Sequence, residues 1–263
     1  MYMSSNAIDV QVTAPVGTIV LNRPDRRNAL TVAMLDALVE ALDDLYLEKR
    51  VRAIVITGKG AGFCAGMDAR EMQDSFDLPD AETRWGEDAA LFRDVVVRML
   101  EVPKPIIAAV NGAAVAGGAG LLLGSDIVLA SHDAQFGLPD PRRGLVAGVV
   151  APLLAFRLGA GQAARLALTA ELIAAEEMHR IGLVHELVEH DKLWARAAEV
   201  ATLCAAGAPE AIGLTKRLLG ETVAETLMTQ LSAGAAASAT SRTTEAAREG
   251  IAAFLEKRPP QWK

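Results

Sequence analysis

Cysteine, histidine and aromatic residues are all scarce in this chain. Its 263 residues include two cysteines and four histidines, and aromatic residues make up 4% of the sequence. Cys64 and Cys204 lie far apart in the sequence, which is typical of free thiols in a reducing compartment and not of a disulfide framework. No spacing between the histidines and carboxylates suggests a metal site. We therefore predict that the protein holds no metal.

Basic residues are outnumbered by acidic ones, and no export or membrane segment stands out. Lys and Arg total 26 against 33 Asp and Glu, a formal net charge of -7, which argues against nucleic acid or an anionic membrane as the main partner. The N-terminal ten residues lack the basic start and apolar core of a secretory signal. The uncharged stretch 105–125 contains Pro105, Asn111 and five glycines, which favours a buried strand, turn and helix. We expect a cytoplasmic protein.

Apolar strands alternate with helical segments up to about residue 148, and the remainder is almost entirely helical. Apolar runs at 53–57 and 105–110 predict strands, and Thr31 is a plausible cap for an amphipathic helix that ends near Glu48. Such alternation predicts right-handed crossovers in an α/β fold. We place a soft boundary near residue 205, which gives a core at 1–205 and a C-terminal helical region at 206–263.

Two glycine-rich turns directly follow the two predicted strands, one at 63–68 and the other at 111–118. Two junctions of strand, turn and helix can each direct one backbone N–H at a common point. Two such donors form an oxyanion hole, which stabilises the enolate of a thioester. Glycine lets the backbone approach a ligand closely, and a helix N-terminus adds positive dipole where negative charge develops. The turns therefore predict a site for a thioester.

Five motifs in order resemble those of the crotonase superfamily, the enoyl-CoA hydratases and isomerases. They are found at 19–24 with 27–30, at 56–58 with the two glycine-rich turns, at 125–127, at 135–140 and at 254–259. The resemblance extends over nearly the whole chain. It implies a crotonase-like spiral of ββα units, followed by a C-terminal α-helical trimerisation region. It further implies an acyl-CoA substrate, with coenzyme A entering only as part of that substrate and no other cofactor, and a homotrimer or dimer of trimers.

The resemblance also assigns residues to the site by motif position. It places the oxyanion donors at the backbone N–H groups of Met67 and Gly117. Coenzyme A is implied to lie along the first arginine-rich turn, its pantetheine along the turn at 63–68, and its adenine end near the C-terminus. The implied substrate-binding residues are Arg26, Arg27, Ala29, Ala65, Gly66, Asp68, Ala69, Gly118, Gly120, Pro139, Phe254 and Lys257. We favour a helix-capping role for the Asp68 side chain and core packing for Cys64.

The carboxylates leave the reaction open. Hydration of a conjugated thioester requires a proton for Cα and a water aimed at Cβ, and two acidic groups can divide that work. The resemblance to hydratases with two glutamates places the first acid at Gly120 and the second at Asp140. One acid is therefore missing and the other is one methylene shorter. Asp140 remains the best candidate for general acid/base catalysis, although a structural role in a Pro-Asp-Pro turn is the alternative.

We therefore predict an enoyl-CoA hydratase, with a double-bond isomerase and a non-catalytic acyl-CoA binding protein as alternatives. The segment 69–90 is acidic and predicts an irregular lid, from which Glu82, Glu87 or Asp88 could swing in as a second acid. Gly148 stands where hydrolase, dehalogenase and dienoyl isomerase branches place an aspartate, which disfavours those activities.

A further hypothesis concerns the far end of the acyl group. Arg142 or Arg143 lies in a stretch similar to that of glutaconyl-type hydratases, and either could meet a distal substrate carboxylate. The alternative is that both arginines are surface charges.

Overall fold

The computed structural model describes residues 3–5, 7–224 and 226–262. Its strands are β1 (Met3–Ser5), β2 (Ile8–Thr13), β3 (Val16–Leu21), β4 (Ala53–Gly58), β5 (Ile106–Val110), β6 (Ala114–Val115), β7 (Ile127–Ser131), β8 (Gln135–Gly137), β9 (Leu172–Ala174) and β10 (Glu186–Val188). Its α-helices are α1 (Val32–Leu47), α2 (Ala69–Ser75), α3 (Ala81–Glu101), α4 (Gly117–Gly124), α5 (Val150–Thr169), α6 (Ala175–Arg180), α7 (Leu193–Ala205), α8 (Pro209–Ala224), α9 (Leu227–Arg242) and α10 (Glu245–Glu256). Short 3-10 helices occupy Pro24–Arg26, Asp140–Arg143 and His190–Lys192.

Seven strands form the main sheet in the order β1-β2-β3-β4-β5-β7-β10. The strands from β3 to β10 run parallel, whereas β2 is antiparallel to β1 and β3. Every residue of β5 is buried, as expected for a parallel strand covered on both faces. Because β4 and β5 are neighbours and parallel, the turns that follow them leave the sheet at the same edge. The sheet thus brings the two glycine-rich turns together.

A second sheet of three strands, in the order β6-β8-β9, lies beside that edge. Strand β6 comes from the second glycine-rich turn, and it pairs in parallel with β8, with Val115 opposite Gly137. Ala116 N–H then donates to the Gly137 carbonyl at 3.1 Å. This pairing ties the second turn to the segment that leads to Asp140.

Helix α1 forms as its sequence predicts. The Thr31 hydroxyl accepts a hydrogen bond from Met34 N–H at 3.2 Å, which caps the first turn. Leu35, Leu38 and Leu42 follow at helical spacing and are buried, so one face of α1 packs into the main core. The uncharged stretch 105–125 contains β5, β6 and the buried helix α4, as predicted. Within the described part of the chain, no helix is long and apolar enough to cross a membrane.

The prediction that 69–90 is irregular is wrong, because this segment contains α2 and the first half of α3. Its role as a lid stays a prediction. The Asp68 carboxylate caps α2 by accepting from the N–H groups of Arg70 and Glu71. Phe76 and Trp85 lie edge to face, with ring centroids 5.5 Å apart, and both pack against α10. The apolar residues scattered among the charges therefore form a satellite core, which orders the segment.

The chain is helical after residue 205, but its last helices pack onto the core. Helix α9 contacts α3 and α5, and α10 contacts α2 and the 3-10 helix Asp140–Arg143. Arg242, the last residue of α9, is buried. The boundary at 205 stays a prediction, and helix α9 forms part of the wall of the pocket described below.

Candidate active site

The two glycine-rich turns are joined backbone to backbone. Cys64 N–H donates to the Ala113 carbonyl and Val115 N–H donates to the Cys64 carbonyl, both at 3.0 Å. A Cβ on Gly118 would lie 2.2 Å from the Cys64 carbonyl oxygen, so only glycine fits there. Cys64 is buried, and burial raises the pKa of its thiol to about 12. It is therefore a packing residue, as expected, since a nucleophile requires the thiolate.

The backbones of Gly66 and Gly117 lie in close contact. Gly66 has a φ of 85°, and a Cβ on it would lie 2.7 Å from Ala116 Cβ and 2.9 Å from Gly117 N. A Cβ built on Gly117 would lie 3.5 Å from Met67 N. The two N–H groups that the sequence predicts as oxyanion donors are thus on adjacent stretches of backbone.

Both predicted donors lack a partner in the described part of the chain. Leu30 N–H donates to the Gly66 carbonyl and Asp68 N–H donates to the Leu30 carbonyl, each at 2.8 Å. This bridge uses the groups on either side of the Met67 N–H and leaves that N–H unpaired. Gly117 opens α4, and the first N–H groups of a helix have no partner within it. Ala116 just before it has a φ of 51°, an uncommon conformation for a residue with a Cβ.

Asp140 begins a 3-10 helix after β8, and its carboxylate is poorly satisfied. Its Oδ2 is buried without a hydrogen-bond partner among the described residues. Burial raises the pKa of Asp140, and the nearby charge of Arg143 opposes this effect in part. Burying a carboxylate oxygen without a hydrogen bond lowers the stability of the fold, and carboxyl groups with shifted pKa values are concentrated at functional sites.

Met67, Gly117 and Asp140 line one pocket, so the structure brings the three predicted catalytic residues together. The pocket has a volume of about 60 Å³, which gives room for a few water-sized groups. Apart from these three, the residues that line it are Met72, Asp88, Ala89, Phe92, Leu145, Val146, Ala147, Gly148, Val149, Val150, Ser238, Ser241 and Arg242.

Phe92 fills the space beside Gly120, the position of the missing acid. A Cβ on Gly120 would lie 2.7 Å from Phe92 Cζ. Gly148, where other branches have an aspartate, has no room for a side chain either, since its Cβ would lie 1.9 Å from the Gly234 carbonyl oxygen. Backbone packing thus requires glycine at Gly148, whereas a side chain in place of Gly120 would require the end of the Phe92 ring to move. Neither position supplies a carboxylate.

The pocket wall carries a buried ion pair. Arg242 Nη1 donates to Asp88 Oδ2 at 3.1 Å, and the two side chains are 6% and 19% exposed. Asp88 is one of the three lid acids that the sequence singles out, whereas Glu82 and Glu87 are exposed. Arg242 was not predicted. Its only sequence signal is a basic residue at the end of the alanine-rich segment 232–241.

The predicted coenzyme A residues Arg26 and Arg27 lie on a turn that is hydrogen-bonded to the first glycine-rich turn. Arg26 and Arg27 are exposed on the turn that begins with Pro24–Arg26, and Ala65 N–H donates to the Arg27 carbonyl at 3.0 Å. Asn28 is fully buried and holds this turn through Arg23 N–H and the carbonyls of Lys59 and Gly62. We predicted no role for Asn28, because two of its three contacts, the carbonyls of Lys59 and Gly62, are more than 30 residues away.

Ala29, Asp68 and Ala69 continue from this turn towards α2. Ala29 is 9% exposed, and Ala69 is the first residue of α2. The Asp68 carboxylate caps α2 and pairs with Arg23 at 2.9 Å, which agrees with the capping role favoured above. Pro139 directly precedes the 3-10 helix that carries Asp140.

Arg142 and Arg143 do not lie among the residues that line the pocket. Arg142 Nη2 donates to the Thr169 carbonyl at 3.1 Å. The Arg143 guanidinium lies 4.1 Å from the centroid of the Phe254 ring, and Lys257 is an exposed residue that ends α10 with a φ of 58°. Arg242 is thus the arginine that lines the pocket.

Two unpaired backbone donors and a buried carboxylate around one pocket define a class of enzymes that stabilise an oxyanion. The sequence profile of the enoyl-CoA hydratase/isomerase family matches residues 11–263. The chain therefore belongs to this family, the crotonases. Among the described residues, no group of three or more His, Cys, Asp or Glu side chains is arranged to hold a metal ion.

Individual relatives include both hydratases and an isomerase. The chain is 39% identical to a putative enoyl-CoA hydratase of Thermus thermophilus, over 94% of this chain and 97% of the relative. It is 34% identical to the 1,2-epoxyphenylacetyl-CoA isomerase of Escherichia coli, over 94% of each chain. The crystal structure of an enoyl-CoA hydratase from Mycobacterium avium superposes with a TM-score of 0.85 at 31% identity, covering 99% of this chain and 100% of that one. The predicted α/β class and crotonase-like fold are confirmed by this likeness.

Proposed function

We propose that this protein is an enoyl-CoA hydratase, which adds water to a 2-enoyl-CoA to give a 3-hydroxyacyl-CoA. The observation that carries the proposal is the pocket shared by the unpaired Met67 and Gly117 N–H groups and by Asp140, whose buried Oδ2 has no hydrogen-bond partner among the described residues. The two N–H groups would donate hydrogen bonds to the thioester oxygen. Charge that develops on this oxygen as water adds to Cβ is then stabilised by donors already in place.

Asp140 would be the main acid of the reaction. Its raised pKa favours the protonated form, which can deliver a proton to Cα of the enolate. The coenzyme part of the substrate would lie along the exposed turn with Arg26 and Arg27, whose guanidinium groups suit phosphates. The pantetheine would pass Ala65 and Gly66 on its way to the hole.

A double-bond isomerase is the second candidate, and a specific observation favours it. The position of the first family acid is Gly120, and Phe92 blocks its surroundings, so Asp140 is the one family acid that remains. A single carboxylate is enough to move a proton between Cα and Cγ without an activated water. The Escherichia coli relative is itself an isomerase. Hydration remains our choice, because several relatives of similar identity are hydratases, including a short-chain-enoyl-CoA hydratase of Clostridium acetobutylicum.

The experiment compares three thioesters with the purified protein. Crotonyl-CoA and 3-methylglutaconyl-CoA should lose their enoyl-thioester absorbance at rates in the usual range of about 1–10³ s⁻¹. A 3-enoyl-CoA reports the competing activity, since its isomerisation creates that absorbance. Gain with the 3-enoyl-CoA and no loss with the others would establish the isomerase. Binding of all three without turnover would leave an acyl-CoA binding protein.

We also propose that the chain assembles as a homotrimer or a dimer of trimers. The family resemblance suggests this, and the apolar surface of α8 supports it, because Leu214, Leu218 and Leu219 are each more than 60% exposed. Clustered exposed leucines are typical of interaction surfaces. Light scattering on the purified protein should give three or six times the chain mass of 27.7 kDa. A single-chain mass would contradict the proposal.

A further inference from the structure

The pocket contains one carboxylate besides Asp140. Asp88 projects from α3, one helical turn before Phe92, and both line the pocket with Met67 and Gly117. Residues four apart lie on the same face of a helix. The helix face that blocks the position beside Gly120 with the Phe92 ring therefore also presents a carboxylate to the same pocket.

The ion pair leaves one Asp88 oxygen available. Arg242 Nη1 binds Oδ2, and Oδ1 has no hydrogen-bond partner in the described part of the chain. Arg242 ends helix α9. The bond to Asp88 is the one hydrogen bond that its guanidinium makes among the described residues. Asp88 is thus fixed in position, with its free oxygen and the remaining Arg242 N–H groups able to bind a small polar molecule.

Stability alone does not explain this pair. Burying two charges carries a desolvation cost that their attraction often fails to repay, and apolar replacements of such pairs are commonly neutral or stabilising. The neighbouring acid Glu71 does not present a carboxylate to the pocket. Its Oε2 accepts a hydrogen bond from Val32 N–H, and Glu71 does not line the pocket. The pocket is also small, so a polar group bound at Asp88 would lie close to an acyl group whose thioester oxygen is held by the Met67 and Gly117 N–H groups.

We propose that Asp88 is the second catalytic carboxylate of this site, replacing the acid absent at Gly120, and that Arg242 is its positioning residue. This inference rests on the proposed hydration. The water oxygen bonds to Cβ while Asp88 takes one water proton, and the electrons of the double bond move to the thioester oxygen as the enolate. Asp140 then gives its proton to Cα and the carbonyl re-forms. Asp88 ends protonated and Asp140 ionised, and proton exchange with solvent restores both.

The environments of the two carboxylates suit this division. Asp88 is held towards the pocket by the Arg242 guanidinium. Asp140 has a buried oxygen without a partner among the described residues, and burial raises its pKa, which favours the protonated form that an acid needs. The assignment can be tested by two reactions of one enzyme. Hydration of crotonyl-CoA needs both carboxylates. Exchange of the Cα hydrogens of saturated butyryl-CoA with D₂O needs Asp140 and the oxyanion hole, but no water addition.

The experiment measures both reactions in wild type, Asp88→Asn, Arg242→Gln, Arg242→Lys and a matched control. We expect Asp88→Asn to lower kcat for hydration about 10²-fold or more, with the exchange rate and the affinity for butyryl-CoA close to wild type. Arg242→Gln should lower hydration less, and Arg242→Lys should restore part of that loss. The control is Asp126→Asn, which breaks the 2.7 Å Asp126–Lys216 pair. Neither residue of that pair lines the pocket, so this variant should leave both rates unchanged.

Loss of a partner from a buried pair can unfold a protein, so the double variant Asp88→Leu/Arg242→Met removes both charges together. It should lose hydration and keep exchange. Hydration at the wild-type rate in Asp88→Asn would overturn the inference and leave the proposed function intact. A parallel fall of exchange and hydration would overturn it as well, because it indicates a structural role. Absence of hydration in the wild type, with exchange present, would overturn the proposed function and this inference with it.

Discussion

Asp140→Asn is expected to lower kcat for crotonyl-CoA hydration about 10³-fold. Asparagine keeps the shape of the side chain but has no acidic proton to give to Cα. The binding of the coenzyme part should change little, because the turn with Arg26 and Arg27 is a separate segment of backbone. Initial rates over a range of substrate concentrations measure this. Asp133→Asn is the control, since Asp133 is an exposed aspartate shortly before β8, the strand that leads to Asp140.

The role of Asp140 as the acid also predicts the direction in which the hydration rate changes with pH. Burial raises the pKa of Asp140 above its usual value of 3.8, so its proton-donating form persists to higher pH than that of an exposed aspartate. Hydration by wild type should fall as the pH rises through this raised pKa. The residual activity of Asp140→Asn should lack that step. An identical pH profile in both proteins would contradict the role of Asp140 as the acid.

Thermal stability separates lost chemistry from lost folding in this variant. The folded state holds the Asp140 proton more tightly than the unfolded state, so the free energy of unfolding falls as pH rises from the unfolded pKa through the folded one. Asp140→Asn has no carboxyl group at this position, so this fall in the free energy of unfolding does not occur in the variant. Its Tm should therefore exceed that of wild type near neutral pH, and the difference should shrink towards pH 4, near the ordinary pKa of 3.8. A variant that is both inactive and less stable would not support a catalytic role.

The order of the site along the chain could be predicted from sequence because its parts are local. The turns at 63–68 and 111–118 follow strands with strong apolar patterns, and neighbouring parallel strands bring their ends to one edge. Thr31 and the leucines of α1 likewise act within one helix. These features need no knowledge of distant contacts, so the predictions for them agree with the structure.

The rest of the site depends on contacts between distant segments. Phe76 and Trp85 look isolated among charges until α10 packs against them, which is why 69–90 was predicted to be irregular. Arg242 is separated from Asp88 by 154 residues, and no local pattern pairs them. Gly120 is explained only by Phe92 beside it. Tertiary packing decided these positions, and a single sequence does not reveal which segments pack together.

Gly66→Ala is expected to lower kcat/KM by about 10²–10³-fold, the usual effect of losing an oxyanion donor. Its Cβ would lie 2.7 Å from Ala116 Cβ and 2.9 Å from Gly117 N. Backbone atoms cannot rotate out of the way, so the two turns must separate. The φ of 85° at this position adds strain for any residue with a Cβ. Met67 and Gly117 would then no longer direct their N–H groups at one point.

Gly161→Ala is the matched control, because a Cβ on Gly161 meets nothing within 4 Å, and it should leave the rate unchanged. Infrared spectroscopy of bound crotonyl-CoA tests the mechanism directly, since hydrogen bonds from two donors weaken the thioester carbonyl and lower its stretching frequency. Gly66→Ala should lose most of this shift while its helical content stays that of wild type. If the shift and the rate both survive, the thioester oxygen is held elsewhere. If the shift survives and the rate falls, Gly66 acts on the position of the acyl group, and polarisation by the two N–H groups does not limit the reaction.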